Sequence, residues 1–414
     1  MNLSCSVKHA ISFAALIANL LIFGIFVFLY IPISYQSGIF FLIYTILSIV
    51  FVSFIESYLI DEDIVSYRII TQIILCTYSL PTPLVAFYFS DDPWMVGRYI
   101  YNNFSYRTIF FALLIFCMMH IGMYLGAKIK PIDLRLDKFY MSNKWLPMIS
   151  LILLLISFVP LYNIILRTGF GNIENYKDVF IKLNENDSFI NYLSFFMLIP
   201  ACYLIVNSFV KKKYFFVLIV FIICILATMI KPSRGLLFSI IFISILSYHY
   251  YRNNLKLNKL ILLSLAVLLL SFIMIHQRSK ESSHDYRFAN KLVNITEGKI
   301  IFENTYIMYA YLNESNDFRW GATYVDALKH VIPQRFLPVE KPVPTLMWFR
   351  HDMFENISEK SFGRMFSIVA EAYMNFWFIG PFILGIFYSY LIKNFYTAMK
   401  NSHRYNVVTM GTLL

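Results

Sequence analysis

Tyr214-Phe-Phe-Val-Leu-Ile-Val-Phe-Ile-Ile-Cys-Ile-Leu-Ala-Thr-Met-Ile230 runs straight into Lys231-Pro232-Ser233-Arg234-Gly235, and the chain is predominantly apolar again as far as Tyr251. Each stretch approaches the roughly 20 apolar residues a helix needs to cross a bilayer, so the pair reads as two spans joined by a very short turn. The same pattern recurs at 11–31, 38–60, 69–89, 108–126, 146–166, 189–209, 260–276 and 366–392, which makes about ten spans. A soluble core has no use for so many. The expected fold is all-α, a polytopic transmembrane helical bundle forming a single integral membrane domain over 1–414, with one large outward-facing loop at 277–365.

Composition agrees. Of the 414 residues, 59% are hydrophobic and 14% charged, against about 25% charged in an ordinary soluble domain. The formal charge of +11 does not point to nucleic acid, because the basic residues gather at span ends; membrane lipids with anionic head groups are the expected partners. All five cysteines fall in or beside apolar stretches and none lies in the long loop, which argues against a disulfide framework and a Cys-ligated metal. Ile11 to Tyr30 is longer than the core of a cleaved signal peptide and reads as a retained first helix. Asn406 to Leu414 reads either as a short tail or as the beginning of an eleventh span.

Lysines and arginines in alternate loops set the orientation. One side carries 16, including Arg68, the Lys211–Lys213 triplet and Lys393, and the short loops opposite carry 7. The richer side is expected to be cytoplasmic. Both termini would then be cytoplasmic if the chain ends after ten spans, and the long loop, with the remaining 12, would face out.

That outer face carries residues a purely structural membrane protein would not need. The Lys231–Gly235 turn places two cations at the mouth of the bundle; Arg234 suits bidentate phosphate recognition, with snorkelling at a helix end as the plainer reading. The loop adds Arg278, Gly321-Ala322-Thr323-Tyr324, Ile332-Pro333-Gln334-Arg335 and Pro338-Val339-Glu340-Lys341-Pro342. Its prolines fix φ and preclude a continuous helix, so Arg335 and Lys341 would be presented on a stiff irregular segment suited to an anionic head group. Ser367, Glu371 and Asn375 follow at i, i+4 and i+8 on one helical face entering the last span. An ionisable residue there is a functional candidate by default, or else a packing ion pair with an arginine.

The order of these motifs, ending in Ser-x-x-x-Glu-x-Tyr-x-Asn, resembles the bacterial O-antigen and oligosaccharide repeat-unit polymerases of the Wzy type. The motif resemblance covers about 231–385, and the resemblance in hydropathy covers the whole chain. It implies a GT-C-like glycosyltransferase of the bacterial cytoplasmic membrane that needs no metal and no other cofactor. The implied substrate is an undecaprenyl-pyrophosphate-linked oligosaccharide, polymerised into O-antigen or capsule, with a chain-length regulator and a flippase as further candidate partners. Arg234 and Arg278, with Arg335 and Lys341 binding substrate, would stabilise the departing pyrophosphate. Glu371 would be the general base, and Tyr373 and Asn375 would orient sugar or phosphate. Asp91, Asp92, His276, His330 and His351 stay open as alternative acid–base groups, and Trp320 and Trp348 could stack on sugars. No Walker loop, nucleotide fingerprint or metal-ligand spacing occurs. A flippase or other transporter of lipid-linked oligosaccharide, an O-antigen-ligase-like transferase and an assembly scaffold remain the alternatives.

Overall fold

The computed structural model describes residues 5–30, 34–61, 63, 66–88, 105–132, 145–168, 197–230, 235–252, 255, 258–259, 298–331, 342, 345, 348 and 367–401. Among the described residues the protein is all-helical and has no strand. The helices are α1 (Cys5–Tyr30), α2 (Tyr35–Leu59), α3 (Tyr67–Ser79), α4 (Pro81–Tyr88), α5 (Tyr106–Gly126), α6 (Leu146–Thr168), α7 (Leu198–Lys211), α8 (Phe215–Ile230), α9 (Gly235–Tyr251), α10 (Gly298–Ser315), α11 (Ala322–Val331), α12 (Ile368–Phe376) and α13 (Ile379–Asn401). They fall into two compact units. Met1–Lys130 with Ile261–Lys393 makes the first, and Pro131–Leu260 with Asn394–Leu414 the second.

In the second unit α7 is central, packed by α6, α8 and α9 around Leu204, Ile205, Val220, Ile240 and Ile243. The lysine triplet closes α7, with Lys212 in the left-handed region at φ 60°.

In the first unit α5 is central and touches α2, α3, α10 and α12. Its Phe116 is fully buried and stacks on Phe302 of α10, ring centres 5.7 Å apart. Thus part of the polar segment between the last two expected spans is itself core, since α10 sends Phe302, Ile307, Met308 and Leu312 inward. Unlike a soluble amphipathic helix, α2 is apolar on its exposed side as well as its buried one. Ile39, Leu42, Ile46 and Ile49 are buried, yet Phe40, Leu47, Phe51 and Tyr58 form an exposed apolar stripe at helical spacing, as expected for a helix facing lipid. Two helices among the described residues, Tyr35–Leu59 and Tyr106–Gly126, are long and apolar enough to cross a bilayer.

Two expected spans are broken. That at 69–89 becomes α3 and α4, because Pro81 and Pro83 supply no N–H to continue the ladder. That at 366–392 becomes α12 and α13, parted at Trp377, whose φ of 53° and ψ of −150° end the first helix. A Cβ at Gly380 would overlap the Ala372 carbonyl oxygen, so α13 can fold back on α12 only with glycine there. The stretch 260–276 lies outside the described residues.

Contact between α5 and α13 is made backbone to backbone. Added Cβ atoms at Gly122 and Gly126 would overlap the carbonyl oxygens of Phe382 and Ile386, and one at Gly385 would reach the Met119 carbonyl. Gly122-x-x-x-Gly126 is thus a small-residue face of the kind that lets membrane helices approach closely. At one end of this interface polar groups take over. The fully buried Glu56 receives Arg68 Nη1 at 3.2 Å, Lys128 Nζ at 3.3 Å and the Tyr124 hydroxyl at 3.0 Å, and Arg68 Nε reaches Asp61 at 2.9 Å. Lys393 Nζ donates to the Ala127 and Ile129 carbonyls at 2.8 and 2.7 Å. Deeper in the bundle His120 is fixed through both ring nitrogens, 2.6 Å from Gln72 Oε1 and 3.2 Å from Ser79 Oγ. Gln72 Nε2 donates to the His120 carbonyl, which leaves Oε1 as the acceptor and puts the ring proton on Nδ1.

Gly385→Ala should therefore lower the stability of detergent-solubilised protein by about 1–3 kcal/mol, the cost of overpacking a close contact. Gly24→Ala should not, since its Cβ would meet Phe41 at an ordinary 3.5 Å. Thermal unfolding of the two variants makes the comparison, and equal midpoints would remove the glycine contact from the account.

Candidate functional site

Ser367 caps α12 with its hydroxyl accepting from the Ala370 N–H at 3.5 Å, and this starts the helix at the position that puts Glu371 in its first turn. Glu371 is half-buried, whereas Asn375, one turn on, is fully buried. The Asn375 amide is a clasp. Its Oδ1 accepts the Gly321 N–H at 2.9 Å, and its Nδ2 donates to Thr323 Oγ1 at 2.6 Å and to the Glu371 carbonyl at 2.9 Å. A further bond, Arg319 N–H to the Met374 carbonyl at 3.0 Å, lashes the Gly321 turn to α12.

The turn has little conformational freedom. Gly321 has φ 87°, and a Cβ there would stand 3.1 Å from the Phe376 ring; Asn316 and Trp320 before it are also left-handed, at 56° and 47°. With Trp377, three of the four non-glycine residues of positive φ among the described residues surround this one junction. Such strain costs on the order of 1–3 kcal/mol per residue and needs surroundings that enforce it. Tyr324, the residue after Thr323, stacks on Phe376 with ring centres 6.1 Å apart. Burial, and after it the negative charge of Glu371, push its phenol up to about 12, so near neutral pH Tyr324 is a hydroxyl donor beside a carboxylate.

Around this junction the chain places aromatic and cationic groups. Arg319 lies over the Trp348 ring at 4.8 Å and pairs with Asp317 at 3.3 Å. Tyr373 points the other way from Glu371, into a cluster with Tyr309, Phe318 and Phe378.

Ser367, Glu371 and Asn375 thus share one face, as their spacing predicts, and the Gly-x-Thr-Tyr motif meets them. Tyr373 is a core residue here, and every polar atom of the Asn375 side chain already has a partner within the protein. Arg234, Arg278, Arg335, Lys341, Asp91, Asp92, His276 and His351 lie outside the described residues, as does the side chain of His330. Sequence reasoning passed over Glu56, Arg68 and Lys128 as a buried group, and it did not single out Arg319. The Gly-x-Thr-Tyr motif carried the signal for Tyr324. Among the described residues no three His, Cys, Asp or Glu side chains come together in a way that could hold a metal ion.

The family model of the O-antigen polysaccharide polymerase Wzy matches residues 15–414. The chain belongs to this family. No curated protein and no solved structure matches it. Wzy proteins are membrane proteins that polymerise O-antigen from lipid-linked oligosaccharide repeat units, a glycosyltransferase-like activity. In this Wzy chain the motifs at 321–324 and 367–375, far apart in sequence, form one hydrogen-bonded junction.

Replacing Asn375 by Ala strands the Gly321 N–H and the Thr323 hydroxyl, which should cost about 1–3 kcal/mol. Stability and polymer formation should then fall together. Unfolding curves and polymer yield on the same preparation test this, and an inactive Asn375→Ala of normal stability would give the amide a direct part in the chemistry instead.

Proposed function

We propose that the protein elongates a glycan on undecaprenyl pyrophosphate at the outer face of the bacterial cytoplasmic membrane, through a bundle of about ten spans. The family match over 15–414 carries this reading. The growing chain is the donor and a newly delivered lipid-linked repeat unit the acceptor. The acceptor hydroxyl attacks the anomeric carbon at the reducing end of the growing chain, the bond to the pyrophosphate oxygen breaks, and undecaprenyl pyrophosphate leaves with the negative charge.

Glu371 takes the acceptor proton, being a half-buried carboxylate on a helix turn held by Asn375 and the Gly321 turn. Tyr324 beside it donates a hydrogen bond to the sugar. Arg234, Arg278, Arg335 and Lys341 stabilise the leaving group electrostatically. Asn375 and Tyr373 act as positioning residues, one through its hydrogen bonds and the other through packing. The lysine and arginine distribution supports an outer location of the site, with α12 and the Gly321 turn opposite the side rich in basic residues. The chemical class is that of the GT-C-like enzymes, with a chain-length regulator and a flippase as working partners.

Deletion of the gene should leave single repeat units on the cell surface, visible on glycan gels. A surface bearing no repeat unit at all would indicate a flippase. Glu371→Gln keeps shape but cannot accept a proton, so polymer formed per folded molecule should fall by about 10²-fold or more with abundance retained; full activity would move the base to Asp91, Asp92 or His351. Arg234→Lys should be nearly as harmful as Arg234→Ala, because a point charge cannot grip two phosphate oxygens. Normal polymer length in the lysine variant would reduce Arg234 to a surface anchor.

A further inference from the structure

The junction of α11, α12 and α13 exposes a large apolar surface. Trp320 is 73% exposed, Leu328 66%, and Val325 and Trp377 52% each. Both tryptophans stand on left-handed backbone, a conformation that is costly for a bulky residue, and an indole turned into water would do nothing to offset it. Phe376 makes the surface continuous. It is partly exposed, lies under Gly321, stacks on Tyr324 and immediately precedes Trp377. Beyond Trp377 the exposed residues of α13 include Ile379, Ile383, Phe387 and Leu391, a ridge at i, i+4, i+8 and i+12 that faces outward along the helix, with Tyr388 exposed beside it. On α11 the apolar pair Val325 and Leu328 is bordered by the Lys329–Asp326 ion pair, 3.0 Å apart and partly exposed.

We propose that α11 is an interfacial helix, lying in the headgroup–acyl boundary of the leaflet at which α12 begins, with Trp320 and Trp377 as its anchors. Val325 and Leu328 enter the acyl region while Lys329 and Asp326 stay in the headgroup layer. Short amphipathic helices take this position, and tryptophan, with an apolar body and one N–H, concentrates at this depth. Lipid rather than a protein partner is favoured because the surface runs without a break into the α13 ridge. The consequence is positional: the Gly321 turn, and through Asn375 the first turn of α12 with Glu371, are held at the depth of lipid phosphates.

The test uses full-length protein in liposomes, with four of the five tryptophans replaced by Phe so that Trp320 alone remains. Phosphatidylcholine brominated near the headgroup end of its acyl chains should quench Trp320 more than deep-brominated lipid does, and aqueous iodide should quench it poorly. Strong iodide quenching without a bromolipid effect would overturn the proposal, and so would indifference to both, which means a protein cover such as a second copy. Because the multiply substituted chain could fold poorly, Leu328→Cys and Lys329→Cys with all tryptophans intact give a second reading. A membrane-impermeant maleimide should label Lys329→Cys several-fold faster than Leu328→Cys in liposomes, and equal rates would count against the interfacial helix.

Discussion

Between two helices in lipid there is no hydrophobic drive to associate, because the tails are as apolar as the side chains they would displace. The first unit answers this constraint with close backbone approach. Gly122, Gly126 and Gly385 let α5 and α13 meet at their carbonyls, so dispersion acts directly between main chains. Everything at the candidate site hangs on that contact, since α13 follows α12 after only a two-residue break and Gly380 sets the angle between them.

The two ends of the unit are chemically unlike. Near Lys128 polar groups are buried and paired, with Glu56 shared by Arg68, Lys128 and Tyr124; a carboxylate this deep needs such partners to offset its lost hydration. Near Tyr35 the filling is aromatic instead. Tyr35, Phe110, Phe111, Tyr309, Tyr373 and Phe378 form one run of ring contacts. Ion pairs fix register at one end, and the rings at the other fill volume and leave the α12 junction seated against a rigid wall.

The strained residues concentrate where the wall meets the surface. Asn316, Trp320, Gly321 and Trp377 all have positive φ within one junction; the Asn375 amide and the Met374 carbonyl tie the Gly321 turn to α12, while the Trp377 N–H bonds the Tyr373 carbonyl and the Asn316 N–H the Leu312 carbonyl. A carboxylate beside such an over-determined turn is well placed to be held in one geometry, which is what a transfer between two large lipid-linked substrates requires of its base.

The sequence by itself determined the helical class, the membrane environment and the shared face of Ser367, Glu371 and Asn375. These follow from hydropathy and from a 3.6-residue period, both local properties. Glu371 was legible as a candidate because a charge in an apolar run is costly wherever it lies. Only the tertiary structure decided that α10 is core and that Tyr373 packs while Asn375 clasps Gly321, because these depend on which residues meet across more than fifty positions of chain; the break at 69–89 is by contrast a local effect of Pro81 and Pro83. The Glu56 group escaped notice for the same reason: Glu56, Arg68 and Lys128 stand at three separate helix ends and become one site only when α2, α3 and α5 are packed.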